Sequence, residues 1–240
     1  MKTELLGVMF DDITLHEAVE AAMGIIAQGG FHYAVTPNAE FVQLAQRDPA
    51  FRTLLNGADL VLPDGIGVVY AAKILGRPIK GRVPGVDFAA SLMAEMAKQG
   101  NRLFLLGAKP GVAEKAAGRL AAEYRGLQIA GLNDGYFSDS GVVADKIKDS
   151  GADVVFVCLG APKQEQFMKE YGARTGASLL VGLGGSLDVF AGEVQRAPQG
   201  WQNMGCEWLY RLLKQPSRIG RMAKLPLFLV SAVKERIRGA

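Results

Sequence analysis

The sequence predicts a Rossmann-like α/β fold, a mostly parallel sheet with helices on both of its faces. Short apolar runs of strand length alternate with amphipathic helical patterns up to about residue 190. The chain has 240 residues, 49% of them hydrophobic, which is enough for one sizeable core. No low-complexity linker divides it. We expect a Rossmann-like domain over residues 1–195 and a C-terminal helical appendage over residues 196–240.

Seven apolar runs are strand candidates, and several helix starts can be placed between them. The runs are residues 5–9, 32–35, 60–62, 103–106, 128–132, 154–159 and 179–183. Thr14 and Glu17 have the spacing of a capping box, which predicts the start of the first helix. Asp87 and Ser140 are placed to cap later helices, and Pro110 suits a first helical turn. Ligands of such folds bind beyond the carboxyl ends of the strands, so we expect the site in those loops.

Polar side chains follow the second and third strand candidates. Thr36 and Asn38 stand in the segment TPNAE, where they can bind a sugar or a phosphate or cap the next helix. Asp64 follows the third strand, between Pro63 and Gly65. A carboxylate at a helix start is often only a cap, but in an apolar pocket its pKa can rise and it can accept a proton. Asp64 is the best candidate for a general base, and both interpretations stay open.

Three further strand ends are glycine turns, over residues 107–111, 160–165 and 182–186. Glycines let a phosphate approach backbone N–H groups, although tight turns between strand and helix also favour glycine. Three such turns at one edge of a sheet favour a nucleotide diphosphate. The candidate contacts are Gly107, Gly160, Gly184, Gly185 and Ser186. No turn has the spacing of a dinucleotide fingerprint and no P-loop motif occurs, so a nicotinamide cofactor and P-loop NTPase chemistry are disfavoured.

The chain is poorly supplied with metal ligands. It has two histidines, His16 and His32, and two cysteines, Cys158 and Cys206, which do not suggest a zinc site. It also lacks Asp-x-Asp, the carboxylate pair with which many sugar-nucleotide transferases hold a divalent metal. We therefore expect no metal and no other cofactor. Charge on a leaving group would be met by helix N-termini and by arginines such as Arg82, for which the alternative is a surface loop charge.

The last 35 residues differ from the rest of the chain in charge and hydrophobicity. They hold eight basic and two acidic residues, net +6, which leaves 19 basic and 22 acidic residues, net −3, in the body. The apolar run LPLFLV, residues 225–230, lies among these charges. This mixture is typical of a segment that lies on an anionic membrane surface. The run is too short to span a bilayer, which takes about 20 apolar residues.

Two other interpretations of this segment stay open: a helix pair packed on the body with a solvated basic face, or a nucleic-acid patch. The body lacks the general basicity that nucleic-acid binding would favour, so we expect no nucleic-acid partner. The first residues contain no apolar run of the signal-peptide kind. We expect a cytoplasmic protein that is attached peripherally to the inner face of the cell membrane.

Six blocks of sequence, spread over nearly the whole chain, carry a family resemblance. They are residues 36–40 (TPNAE), 63–69 (PDGIGVV), 82–87 (RVPGVD), 160–165 (GAPKQE), 184–188 (GGSLD) and 207–211 (EWLYR). Taken together and in this order, they resemble the WecG/TagA/CpsF family of bacterial glycosyltransferases, most closely its branch in wall teichoic acid synthesis. Because the blocks include the tail, the resemblance is highly specific.

The resemblance implies an inverting, metal-independent transfer of N-acetylmannosamine from its UDP conjugate to the 4-hydroxyl of N-acetylglucosamine on undecaprenyl diphosphate. It makes Asp64 the catalytic base and places Thr36, Asn38, Arg82 and Gln164 around the substrates. It also implies that the appendage closes over the pocket and brings arginines to the diphosphates. The matching arginines are Arg211, Arg218 and Arg221. Membrane contact is expected to shift the protein from a homo-oligomer to an active monomer.

The side chains between the blocks depart from the family, so the donor sugar is less determined than the reaction type. Other branches of the family use a mannosaminuronic acid or a glucose donor. Two further classes stay open at this point. One is a non-catalytic regulator that binds UDP at the membrane, and the other is an oxidoreductase on the same fold, which the glycine spacing disfavours.

Overall fold

The computed structural model describes residues 1–198, 200–201, 207–214 and 224–238, and its centre is a parallel sheet. The strands are β1 (Lys2–Leu5), β2 (Val8–Asp11), β3 (His32–Val35), β4 (Leu60–Val61), β5 (Arg102–Gly107), β6 (Gln128–Asn133), β7 (Val154–Cys158) and β8 (Leu179–Gly182). Six of them form one sheet in the order β4–β3–β8–β7–β5–β6, with parallel pairing throughout. The predicted Rossmann-like α/β architecture is confirmed.

Helices cover both faces of this sheet. They are α1 (Leu15–Gln28), α2 (Ala39–Arg47), α3 (Pro49–Asn56), α4 (Ile66–Ile74), α5 (Gly85–Gln99), α6 (Val112–Glu123), α7 (Ser140–Ser150), α8 (Lys163–Tyr171), α9 (Ser186–Phe190), α10 (Glu207–Lys214) and α11 (Lys224–Arg238). Alternate side chains of a strand point to opposite faces, so Leu103 joins the core layer with α1, α5 and α6, whereas Phe104 joins the layer with α2, α3, α7 and α8.

The first predicted strand, residues 5–9, is wrong, because the chain turns back in the middle of that run. Strands β1 and β2 form a separate antiparallel hairpin in which Leu5 pairs with Val8. Leu6 and Gly7 between them have φ of 53° and 84°. A two-residue hairpin turn of this kind needs positive φ at both positions, which glycine adopts without strain. The hairpin lies against the edge of the main sheet, where the carboxylate of Asp11 accepts from the N–H of Val61 at 2.8 Å.

The predicted helix starts are only partly correct. The capping box of Thr14 and Glu17 is present at α1. Helix α7 is capped by Asp139, whose carboxylate accepts from two backbone N–H groups, and Ser140 is its first residue. Asp87 lies inside the first turn of α5, and Pro110 lies outside α6, which begins at Val112. These three expectations were wrong by one to three residues.

The C-terminal segment contains helices, as predicted, and the last of them packs on the body of the protein. Phe228 and Ala232 of α11 are fully buried in the core layer beside α2 and α4. Gly67 of α4 makes room for it, since a side chain there would collide with Leu225. Arg236 Nη1 also donates to the carbonyl oxygen of Leu75 at 3.1 Å. The domain boundary at residues 195 and 196 stays a prediction.

The described helices differ in length and apolarity, but none of them is both long and apolar enough to cross a membrane. Helix α11 has 15 residues, and it carries charges toward its end. A bilayer core takes about 20 apolar residues.

Candidate active site

Three loops meet at the carboxyl edge of the sheet. This is the edge at which the parallel strands end. The loop after β4 is held to the loop after β3, because Asp64 N–H donates to the carbonyl oxygen of Pro37 at 3.2 Å. The loop before α5 is held to the loop after β4, because Val83 N–H donates to the carbonyl oxygen of Pro63 at 2.9 Å. The backbone therefore places Asp64 between the loop after β3 and the loop that carries Arg82.

Thr36 and Asn38 are tied into the structure around them. Thr36 is buried, and its hydroxyl donates to the carbonyl oxygen of Gly182 at 2.9 Å, which links β3 to β8. Asn38 is the N-cap of α2, and its Oδ1 accepts from the N–H groups of Glu40 at 2.9 Å and Phe41 at 3.4 Å. The capping interpretation of Asn38 is confirmed, and a role of either residue in substrate binding stays a prediction.

An arginine that the sequence did not single out lies near Asp64. Arg196 Nη1 donates to Oδ1 of Asp87, and Arg196 Nη2 donates to Oδ2 at 3.2 Å. Burial lowers the pKa of this guanidinium, but the hydrogen bonds to Asp87 and the charges of Asp87, Glu207 and Asp64 outweigh it and raise the pKa above its ordinary value. Arg196 therefore carries a fixed positive charge that is paired with Asp87 and also interacts with the charge of Asp64.

Arg82 faces helix α10 of the C-terminal appendage. Its Nη1 lies 3.6 Å from Oε2 of Glu207, the first residue of α10, and the two side chains are only 19% and 11% exposed. The surface-loop interpretation of Arg82 is therefore wrong, because the guanidinium is a partly buried partner of a carboxylate. Of the predicted tail arginines, Arg211 lies on α10, whereas Arg218 and Arg221 lie outside the described residues.

The glycine turns differ in the space around them. Gly160 and Gly184 have φ of 76° and 55°, and a Cβ built on either would meet nothing within 4 Å, so these two turns border open space. At Gly107 a Cβ would collide with the backbone of Cys158, so this glycine lets β5 and β7 approach each other. Ser186 is buried, and its hydroxyl donates to a backbone carbonyl at 2.7 Å. Gly185 directly precedes it, at the start of α9.

Gln164 joins the two open turns from inside the protein. Its side chain is fully buried, and its Oε1 accepts from Gly160 N–H at 3.2 Å and from Gly184 N–H at 3.0 Å. Its Nε2 donates to Oε1 of Glu165 at 2.7 Å. The structure thus places Gln164 beneath the turns after β7 and β8. Its predicted place around the substrates stays a prediction.

The carboxyl edge brings together most of the predicted site: Thr36 and Asn38 after β3, Asp64 after β4, and the turns held by Gln164 after β7 and β8. Sequence reasoning missed Arg196 as a site residue and took Asp87 for a helix cap. A carboxylate with arginines nearby can accept a proton while the guanidinium groups stabilise developing negative charge. Across the described ranges, no group of three His, Cys, Asp or Glu side chains is placed to hold a metal ion.

The fold and the site define a Rossmann-like α/β protein with one candidate base among arginines at the ligand edge of its sheet. The model of the "Glycosyl transferase WecG/TagA/CpsF family" matches residues 3–240, so the chain belongs to that family.

Two curated relatives from Bacillus share this similarity over most of their length. The chain is 41% identical over 202 residues to "N-acetylglucosaminyldiphosphoundecaprenol N-acetyl-beta-D-mannosaminyltransferase" of Bacillus spizizenii strain W23, a match that covers 84% of this chain and 79% of the relative. It is 37% identical over 200 residues to the protein of the same name in Bacillus subtilis strain 168, covering 83% of this chain and 78% of the relative. Both relatives are named as transferases, so neither name favours a non-catalytic UDP-binding regulator or an oxidoreductase.

Proposed function

We propose that the protein transfers N-acetylmannosamine from UDP-N-acetylmannosamine to the 4-hydroxyl of N-acetylglucosamine on undecaprenyl diphosphate, the linkage-unit step of wall teichoic acid synthesis. The observation that carries this proposal is the 41% identity, over 84% of this chain, to a relative named for this transfer. The gathering of Asp64 and the open glycine turns at one edge of the sheet supports it.

In this reaction Asp64 is the general base. Its carboxylate takes the proton of the acceptor hydroxyl while the acceptor oxygen bonds to the anomeric carbon of the donor. The bond from that carbon to the diphosphate oxygen breaks, and its electron pair leaves with UDP. A single displacement of this kind inverts the anomeric centre and needs one carboxylate. In this proposal Arg82, on the neighbouring loop, and Arg196, whose charge interacts with that of Asp64, stabilise the negative charge that develops on UDP.

The donor diphosphate is proposed to lie at the open turns after β7 and β8. The N–H groups of Gly160 and Gly184 are already hydrogen-bonded to Gln164, so they serve the shape of the turns and other backbone amides would meet the phosphates. The adjacent strands β7 and β5 lead to connections that run in opposite directions across the sheet, to β8 and to β6. Such a switch point opens a crevice between the turns after β5 and β7, so it supports the part of the proposed donor site that lies at the turn after β7.

The transfer is also proposed to need no metal, as the missing Asp-x-Asp suggests, with Arg211, Arg218 and Arg221 acting on the diphosphates from the appendage. The lipid-linked acceptor requires a protein that works at a membrane surface. Helix α11 offers an exposed apolar stripe opposite its buried face, flanked by exposed Lys234 and Arg238. The stripe consists of Leu227, Val230, Val233 and Ile237. We propose peripheral attachment to the anionic inner face of the cell membrane through this stripe. A homo-oligomer away from the membrane stays a prediction of the family resemblance.

The test is UDP release from UDP-N-acetylmannosamine with and without a lipid-diphosphate N-acetylglucosamine acceptor, in the presence of EDTA. We expect acceptor-dependent release by the unchanged protein and a loss of about 10² to 10⁴ in turnover for Asp64→Asn. Asp149→Asn, on the exposed surface of α7, is the matched control and should behave like the unchanged protein. Unchanged turnover of Asp64→Asn would remove Asp64 from the mechanism. Release only with another UDP-sugar would change the donor, and no release from a UDP-binding protein would favour a regulator.

A further inference from the structure

A buried acid, Glu165, lies directly behind the turns of the site and has no role in the reaction described so far. Its side chain is fully buried in α8, between the sheet and neighbouring helices. Oε1 accepts the hydrogen bond from Gln164 Nε2, and Oε2 has no hydrogen-bond partner among the described residues. Burying a carboxyl group with one unsatisfied oxygen is costly, so its presence here calls for a compensating role.

The hydrogen bonds of Gln164 show what that role is. An amide oxygen can accept two hydrogen bonds, and Oε1 of Gln164 accepts one from the N–H of Gly160 and one from the N–H of Gly184. If the amide rotated by half a turn, its NH₂ group would face two N–H donors, and both turns would lose their acceptor. When Glu165 is ionised, the acceptor at its Oε1 disfavours that rotation, because a rotated Gln164 would present oxygen to oxygen.

The same amide touches the end of β8. A Cβ on Gly182 would lie 2.9 Å from Gln164 Nε2, so the absence of a side chain there gives the amide its place. The carbonyl oxygen of Gly182 is in turn the acceptor for the Thr36 hydroxyl. Through Gln164 and Gly182, Glu165 is therefore connected to the ends of β3, β7 and β8, three strands that surround the site.

We propose that Glu165 is a positioning residue for the donor site: it fixes the amide of Gln164, which holds the turns after β7 and β8 at the separation that the donor diphosphate requires. The part that concerns the donor rests on the proposed function. The part that concerns the two turns is independent of it, because the hydrogen bonds can be followed without any reaction.

The test compares four substitutions in α8. Glu165→Met removes the acceptor at similar length, and Glu165→Gln keeps one acceptor oxygen. Glu170→Met is the matched control on the exposed face of the same helix. Glu165→Leu, which also lacks an acceptor, is made in parallel and replaces Glu165→Met if the latter does not fold.

Two readouts separate positioning from a general loss of structure. Hydrogen exchange of the Gly160 and Gly184 amides, followed by NMR, should become about tenfold faster in Glu165→Met, as expected when a buried donor loses its partner. The donor KM should rise by about the same factor while the acceptor KM stays within about twofold. Glu165→Gln should restore both values to near those of the unchanged protein. A smaller folded fraction alone would lower kcat and leave both KM values unchanged.

The outcomes distinguish the two proposals. Faster exchange of both glycine amides in a protein without transferase activity would keep the positioning role of Glu165 and refute the proposed function. Exchange and donor KM both unchanged in a folded Glu165→Met or Glu165→Leu variant would overturn the positioning role.

Discussion

Glu165 also makes the stability of the protein depend on pH, and the substitution Glu165→Gln isolates this effect. Burial raises the pKa of Glu165 from 4.5 to about 7, partly opposed by its hydrogen bond from Gln164 and by the nearby N–H of its own backbone. Between these two pH values the folded protein holds the proton while the unfolded chain has released it. The free energy of unfolding therefore falls as the pH rises through this window.

The size of the effect follows from the shift. A difference of about 2.5 pH units corresponds to about 3 kcal/mol between the two ends of the window. This is a large share of the stability of a typical domain, which is about 5–15 kcal/mol. Glutamine at position 165 has no proton to lose, so the variant lacks this contribution and should be the more stable protein at pH 8.

The assay is urea unfolding of both proteins at pH 4.5 and pH 8. We expect the advantage of Glu165→Gln in the free energy of unfolding to grow by about 3 kcal/mol between the two pH values. The control Glu170→Gln lies on the exposed face of α8. Its free energy of unfolding should differ only slightly from that of the unchanged protein, and by the same amount at both pH values. If the difference between Glu165→Gln and the unchanged protein were independent of pH, Glu165 would not titrate in this window and the reasoning would fail.

Two further predictions concern α11. Phe228→Ala removes a fully buried ring and should destabilise the protein by about 3–5 kcal/mol in urea unfolding. The control Leu227→Ala changes a side chain that is 56% exposed and should cost less than about 1 kcal/mol. Equal effects of the two substitutions would mean that α11 is not packed on the body. Leu227→Asp combined with Val230→Asp should weaken sedimentation with vesicles rich in phosphatidylglycerol, and Val142→Asp on α7 should not. Undiminished vesicle binding of the double variant would exclude the stripe as the membrane contact.

The core of the fold could be predicted because buried parallel strands leave a simple pattern in sequence. Strand β3 was placed without error, and five others were found to within one or two residues. The hairpin was missed because residues 5–9 are also a continuous apolar run, and Gly7 was its only sign of a turn. An isolated glycine in such a run is ambiguous, because it also occurs at bulges and close backbone approaches within a strand.

The site was predictable only as far as its residues follow strands directly. Asp64 and Asn38 stand at strand ends, where the topology alone brings them to one edge. Arg196 could not be found in this way, because its partner Asp87 is 109 positions away in the chain. The inward orientation of Gln164 was also hidden, since a motif shows that a polar residue matters but not whether it faces a ligand or supports the backbone behind it.

The packing of α11 has a consequence for how the chain can be altered. This helix rests on Gly67, in the first turn of α4, and α4 begins two residues after Asp64. Helix α11 therefore packs against the first turn of the helix that follows the loop of Asp64. A truncation before residue 224, or a tag that displaces α11, would remove this packing contact. Variants trimmed in this segment to improve solubility are thus expected to disturb the start of α4 and, with it, the loop of the candidate base.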